Sequence, residues 1–248
     1  MNIETIYIEK EIKDHPNTKN ILKKINYKNI ILCNKYTEIF NTKNQNFRVQ
    51  KINPGLILAQ KKKNFLLKTP ENFTIGYTNN YYFSHMLNCI YDCKYCFLQG
   101  MFASANYLIF VNYKDFFNPI TKILKNSKEK VCFFSGYDCD SLAFEKVTNF
   151  VENFLNFFEK IENGILEIRT KSPNIQVFKK RKPLDNVIVA YSLNPNEIIK
   201  EFEPKTSNLK IRIKCLKILQ QMNWKIGLRF DPIINVDDNF NLYKHFFK

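Results

Sequence analysis

The tightest constraint on this chain lies in residues 88–100, N-C-I-Y-D-C-K-Y-C-F-L-Q-G, where Cys89, Cys93 and Cys96 fall within eight residues. Redox pairs and zinc knuckles use two-residue gaps, and a zinc ion wants a fourth ligand to close its tetrahedron. His85 and Cys139 are the residues that could complete such a zinc site. Three thiolates on one tight loop can instead hold three irons of a 4Fe–4S cube and leave the fourth iron open to a small molecule. The spacing favours the cluster. Seven cysteines, an odd number, read as free thiols and cluster ligands better than as a disulfide framework.

The rest of the chain divides near residue 80. At 248 residues, 45% hydrophobic and 15% aromatic, it can bury a full core. Residues 1–80 read as a small α+β region, with a strand over 3–8, a helix over 18–25 and a strand over 29–33. The polar stretch 41–51 is a solvated loop or a lobe of the substrate cleft, with Arg48 its candidate phosphate contact. Lys61, Lys62 and Lys63 read as a hairpin tip between apolar runs at 55–59 and 65–67, and 70–80 reads as linker. Over 81–248 the pattern becomes strand, loop, helix. Core strands are expected at 81–87, 131–134, 165–170, 187–192 and 226–230, with a short extra strand at 107–111. Helices are expected at 115–125, from 141 to 161, at 175–181 and at 209–222. Phe144, Val147, Val151, Phe154, Phe158 and Ile161 recur at helical spacing and read as core. Such alternation means a parallel sheet with right-handed crossovers. Five core strands are too few to close an eight-stranded barrel.

The formal net charge of +15 suits nucleic acid. Lys outnumbers Arg 33 to 5, however, and Asn, Ile and Phe are abundant, which an AT-rich coding sequence would also produce. A surface selected for phosphate would be richer in Arg and its bidentate fork, so the charge stays open between function and composition. Arg229 stands inside an apolar strand and needs a partner, either Glu203, Asp231 or a ligand anion. K-K-R-K at 179–182 reads as the solvated end of a short helix or as a DNA-backbone contact. No run of eighteen apolar residues occurs and residues 1–14 are charged throughout, so the expectation is a cytoplasmic protein without a membrane span.

The cysteine spacing, with Tyr95 just before the last cysteine, resembles the radical S-adenosylmethionine (SAM) enzymes. The flanking run Y-Y-F-S-H-M-L-N-C-I-Y-D-C-K-Y-C-F-L-Q-G is similar to the spore photoproduct lyase family within that superfamily. So are I-Y-I-E-K-E-I-K-D-H-P, F-S-G-Y-D-C-D-S, Y-S-L-N-P and E-F-E-P-K-T-S, over about residues 3–234. The resemblance implies an α/β fold, an incomplete parallel (β/α) barrel of the radical SAM type with a small α+β N-terminal region. Family members continue for a further strand and helix or more beyond the fifth core strand, so a shortened C-terminus is implied. The implied enzyme is a radical SAM carbon–carbon lyase with a 4Fe–4S cluster and S-adenosyl-L-methionine, acting on a thymine photodimer in DNA. A flavodoxin or ferredoxin would supply the electron. Two other readings stand beside it: a radical SAM enzyme for another nucleotide or a small molecule, and a non-catalytic iron–sulfur or nucleic-acid-binding remnant.

Residue by residue, the resemblance makes Cys89, Cys93 and Cys96 the cluster ligands. It sets backbone beside Tyr95 and Phe97 against adenine, and Ser135 and Gly136 near the methionine end of SAM. Lys171 would pair with the SAM carboxylate, and Ser192 and Asn194 would hold ribose hydroxyls. The family's spore enzymes return a hydrogen atom from a cysteine near the end of the second strand, relayed by tyrosines beside the cluster. Here Tyr137 takes that cysteine's place and Cys139 lies two residues on. Tyr95 matches one relay tyrosine, while Phe97, at the other, has no hydroxyl. If 137–139 is extended, positions two apart share a face, and Cys139 can present its thiol to the same cavity. A thiol packed among Phe133 and Phe134 is the alternative.

Overall fold

Runs rich in Ile, Val, Tyr and Phe become strands. The computed structural model, which describes residues 2–236 and 239–248, sorts them into two sheets. In chain order the strands are β1 (Asn2–Glu9), β2 (Asn26–Cys33), β3 (Leu56–Ala59), β4 (Leu67–Lys68), β5 (Asn79–Tyr82) and β6 (Met86–Leu87). There follow β7 (Tyr107–Phe110), β8 (Val131–Ser135), β9 (Gly164–Thr170), β10 (Val187–Ser192) and β11 (Lys225–Arg229). The helices are α1 (Pro16–Leu22), α2 (Phe47–Gln50), α3 (Leu98–Met101), α4 (Phe117–Asn126) and α5 (Glu145–Thr148). After these come α6 (Phe150–Phe158), α7 (Gln176–Lys179), α8 (Asn196–Phe202), α9 (Leu209–Gln221) and α10 (Asn239–Phe246).

The first sheet has the order β2-β1-β3-β7-β6, parallel except where β6 runs against β7. The second has the order β11-β10-β9-β8-β5-β4, with five parallel strands and an antiparallel β4 at one edge. It stays open, as the expected incomplete βα barrel requires. Both faces of β8, β9 and β10 are covered, which is why these strands are almost continuously apolar. Helices α4, α6 and α9 bury one face beneath Phe154, Phe158 and Leu219. The other face carries Cys132, Phe134 and Ile165 under Ile75, Tyr77 and Tyr82.

Several sequence expectations shift for identifiable reasons. The strand expected over 81–87 leaves the second sheet after Tyr82. The His85 carbonyl accepts from Phe110 N (2.9 Å), and Met86 and Leu87 then pair with β7 in the first sheet. The lysines at 61–63 are not a hairpin tip, because β3 and β4 on either side belong to different sheets. The helix expected from 141 to 161 breaks at Asn149, which adopts the left-handed conformation (φ 51°). Glu145 makes the break by turning its carboxylate onto the free amides of Val151 (2.8 Å) and Glu152 (3.0 Å) at the start of α6. Each sheet draws strands from both sides of residue 80. Among the described residues no helix is long and apolar enough to cross a membrane.

Phe154 sits at the centre of the larger core, with its ring 4.8 Å from Phe83, 4.5 Å from Phe150 and 5.3 Å from Phe117. Phe154→Ala should cost about 3–5 kcal/mol in urea unfolding. Ile52→Ala, on a residue 85% exposed, should change stability by about 0.5 kcal/mol or less. Similar small losses in both variants would contradict this placement of the core.

Candidate active site

Asn88, in the left-handed conformation (φ 65°), turns the chain out of β6 into the cysteine loop. Its side-chain amide donates to the Ser104 and Asn106 carbonyls at 2.8 and 2.9 Å, which fixes the loop's first end. The middle of the loop is held from the opposite side, where Asp92 N donates to Pro204 O (3.2 Å) and Lys94 N to Phe202 O (2.8 Å). Gln99 closes the turn on the Cys93 carbonyl and the Asp92 carboxylate. All seven cysteines are free thiols, and Cys89, Cys93 and Cys96 open onto one cavity of about 400 Å³.

The donor set fits an iron–sulfur cube. Burial pushes the Cys89 thiol up to about 12, with Asp140 adding to the rise, and the Cys93 thiol up to about 11. Such thiols ionise only against a strong positive charge, as iron supplies. Among the described residues no three His, Cys, Asp or Glu side chains converge on a single ion. His85, the suggested extra zinc ligand, is buried flat against Phe150 with centroids 3.4 Å apart.

The same cavity takes in Tyr95, Phe97, Gly136, Tyr137, Cys139, Lys171 and Ser192. Gly136 makes the turn after β8 at φ 75°, where a Cβ would stand 2.6 Å from Ser141 Oγ. A side chain there would displace the loop that carries Tyr137 and Cys139. Tyr137 stacks on Tyr82 (4.1 Å) and faces Phe97 (6.0 Å). Cys139 Sγ lies 3.9 Å from His85 Nδ1. Burial holds the thiol well above its ordinary value, and burial with Lys61 nearby pushes His85 down to about 3. The pair is therefore a neutral thiol beside a neutral imidazole at pH 7.

Ser135 and Asn194 lie outside the cavity wall. Ser135 is buried, 2.7 Å from Ser141 Oγ and donating to Glu167 O (3.1 Å). Asn194 is buried too, donating to Glu203 Oε1 (3.1 Å) and accepting from Tyr243 OH (2.9 Å). Glu203 also accepts from Tyr95 OH and from Arg212 Nη2 (2.5 Å). Arg212 in turn donates to the Ser192 and Ser207 carbonyls, both at 2.8 Å, and to Thr206 Oγ1 (2.7 Å). The E-F-E-P-K-T-S segment thus ties the cysteine loop to the end of β10.

Three features were not read from the sequence. Asp140, in D-C-D-S, accepts from Leu142 N, Ala143 N, Thr170 Oγ1 and Lys171 N and so joins the ends of β8 and β9. Phe73, in the stretch read as linker, forms part of the wall. Arg229 finds its partner in Glu167 (2.6 Å), which was not among the candidates because it lies two strands away. Within 41–51, Phe47 and Lys51 line the cavity while Arg48 is exposed outside it. Arg181 of K-K-R-K is engaged by Asn156 and Glu159 away from the cavity.

A family model described as spore photoproduct lyase matches residues 1–248. A curated spore photoproduct lyase of Bacillus subtilis (strain 168) is 25% identical over 162 residues, 64% of this chain and 47% of its own. One from Geobacillus sp. is 24% identical over 151 residues, 60% of this chain and 44% of its own. The chain spans about half the length of the curated relatives it matches. A solved spore photoproduct lyase complexed with dinucleoside spore photoproduct has a TM-score of 0.84 at 19% identity, covering 99% of this chain and 72% of that one. A mutant lyase with bound AdoMet and dinucleoside spore photoproduct has a TM-score of 0.84 at 18% identity, with the same coverage. These structural likenesses establish the fold.

The Glu203–Arg212 pair yields a test of the site's frame. Burial raises the Glu203 pKa, but Lys171 and Arg212 outweigh it and hold the carboxyl below its ordinary range. A depressed folded-state value contributes stability above the unfolded carboxyl's pKa, and that stability is lost as pH falls through the folded value. Glu203→Gln should therefore cost about 3–5 kcal/mol at pH 7, since it strands a buried guanidinium. The deficit should narrow below about pH 4.5. Urea unfolding at pH 7 and pH 3.5 measures both, and an equal deficit at the two pH values would contradict the pairing.

Proposed function

This chain belongs to the spore photoproduct lyase family, and on that premise we propose that it is a radical SAM carbon–carbon lyase acting on a methylene-bridged thymine dimer in DNA. One observation carries the reading: the three cysteines and the loop bearing Tyr137 and Cys139 line a single cavity. A 4Fe–4S cluster and SAM, when bound, would supply the radical chemistry that removes a hydrogen atom from the dihydrothymine ring and lets the bridge break. The chain's own residues hold, orient and shield. Cys89, Cys93 and Cys96 hold the cluster. Lys171, with its ammonium 5.6 Å from the Tyr95 ring, offers a positive charge to the SAM carboxylate. Of the residues on the cavity wall, Ser192 would hold the ribose and backbone beside Tyr95 and Phe97 the adenine, while Gly136, without a side chain, would leave room for the methionine end. Asn194 and Ser135 act at one remove, Asn194 by orienting Glu203 beneath Tyr95 and Ser135 by bracing the Gly136 turn.

The substrate radical left after fragmentation needs a hydrogen atom. Cys139 is the donor this reading assigns, because a thiol that keeps its proton can transfer a whole atom, and His85 beside it is too weak a base to remove that proton. Its S–H bond breaks as the product C–H bond forms, and Tyr95, on the wall of the same cavity, would relay a hydrogen atom from 5'-deoxyadenosine to the thiyl radical left behind. Tyr137 stands next to it against Tyr82 and is the alternative donor. The lesion must leave the duplex to reach this cavity, as substrates of other base-directed enzymes do. The electron comes from a low-potential carrier such as a flavodoxin or ferredoxin, and the protein works in the cytoplasm.

The test is product analysis after anaerobic reconstitution with iron and sulfide, using dithionite, SAM and an oligonucleotide containing the dimer. The parent protein should restore two thymines. Cys139→Ala should still cleave SAM but divert the lesion to abortive products. Unchanged products in that variant would remove Cys139 and leave Tyr137 as donor. Formation of 5'-deoxyadenosine with the lesion intact would point instead to another substrate.

A further inference from the structure

The face of the second sheet that carries Cys132, Phe134 and Ile165 also carries a charged trio the proposed reaction does not use. Along β9, Glu167 and Arg169 alternate onto the face that holds Ile165. Arg229 reaches the same carboxylate from β11, two strands away. Glu167 is level with Ile188 and Arg229 with Ser192, and between those two levels the face carries only the small Ala190 and Gly227, where a Cβ on Gly227 would already lie 3.0 Å from the Ala190 Cβ. Arg229 Nη2 meets Glu167 Oε2 at 2.6 Å, while Arg169 touches Oε1 only loosely, at 3.4 and 3.5 Å. Both guanidinium groups pack against the Phe73 ring, at 4.8 and 5.7 Å, and both line the cavity wall.

The contrast with Arg212 is informative. Arg212 spends its donors on Ser192, Glu203, Thr206 and Ser207 and is a structural clamp. Arg169 and Arg229 share one carboxylate between two forks, and Arg169 Nε is buried without a hydrogen-bond partner. A buried Arg–Glu–Arg trio is weak support for stability, since apolar residues of similar size often serve as well. The trio carries one excess positive charge, and Asp231, exposed on the wall of the same cavity, favours the Arg169 cation and offsets that charge only in part because solvent screens it. Two planar forks with unused donors, backed by aromatic rings in a cavity wall, suit a tetrahedral oxyanion.

Resting on the lyase reading above, we infer that Arg169 and Arg229 form a phosphate subsite that takes the phosphodiester joining the two nucleosides of the lesion. Specificity follows. A dinucleotide lesion with its bridging phosphodiester binds better than the same lesion as a bare dinucleoside.

The experiment measures both affinities by titration calorimetry on the full chain with its cluster reconstituted. The parent protein should bind the phosphodiester form at least tenfold more tightly, and Arg169→Gln should bring the ratio close to one. The Arg229–Glu167 pair survives in that variant. Glu167→Gln combined with Arg229→Gln tests the other fork without stranding a buried carboxylate, and it should lower the ratio as well. Lys182→Gln removes a charge outside the cavity and should leave the ratio unchanged. A parent ratio near one, a ratio that survives Arg169→Gln, or an equal fall with Lys182→Gln would each overturn the inference. If the parent binds neither lesion, it is the thymine-dimer reading that fails, and lesion-free oligothymidylate then decides the subsite. There Arg169→Gln should reduce the slope of log affinity against log salt by about 0.7, the value of one single-strand phosphate contact. An unchanged slope would overturn the subsite on its own.

Discussion

The cysteine loop depends on a buried ion pair it does not itself contain. Glu203 and Arg212 are both fully buried and 2.5 Å apart. Removing such charges from water costs several kcal/mol each, which only near-complete hydrogen bonding offsets. Here the remaining donors and acceptors are taken up by Tyr95, Asn194, Thr206 and two backbone carbonyls. These partners come from three parts of the chain, Tyr95 from the cysteine loop, Ser192 and Asn194 from the end of β10, and Thr206 and Ser207 from the segment before α9, so the pair sets all three in one arrangement. The loop has little regular structure of its own. Its geometry is borrowed from this frame.

The chemistry proposed for the cavity follows from which groups stay neutral and which do not. Cys139, on the cavity wall, and His85, stacked under Phe150 behind it, form an uncharged pair, a state suited to moving a hydrogen atom rather than a proton. Lys171, tied through its backbone to Asp140 next to Cys139, carries its Nζ to 5.6 Å from the Tyr95 ring. The Arg169–Glu167–Arg229 trio adds a second cationic locus beside Phe73. One end of the cavity thus faces the cluster loop and the other a pair of guanidinium forks. Tyr137 lies between, stacked on Tyr82 and edge-on to Phe73.

Much of this was legible in the sequence where the signal is local. The strand at 187–192 was expected with the bounds found, because a run buried on both faces is apolar throughout. The three cysteines and the loop after β8 were readable from spacing and from flanking motifs. The less legible features are made by residues far apart in the chain. Nothing in the apolar look of 81–87 says that its second half pairs with another sheet, since that depends on the partner strand at 107–110. The end of α5 hides in a continuous hydrophobic stripe, because Asn149 breaks the helix while the stripe continues. Asn194 reads as a ligand contact beside its proline, yet its amide is spent on Glu203, which sits nine residues on beyond α8. The partner of Arg229 could not be chosen from sequence because strand order decides it.

The central claim is that Cys89, Cys93 and Cys96 hold a 4Fe–4S cluster whose open iron takes SAM. The most direct measurement is electron paramagnetic resonance of the anaerobically reconstituted, dithionite-reduced protein, with iron and sulfide assayed on the same sample. The account predicts about four irons and four sulfides per chain. It also predicts a reduced-cluster signal that changes on adding SAM, and loss of that signal when any one of the three cysteines becomes alanine. Stoichiometric zinc with no cluster obtainable, or a cluster signal indifferent to SAM, would contradict it.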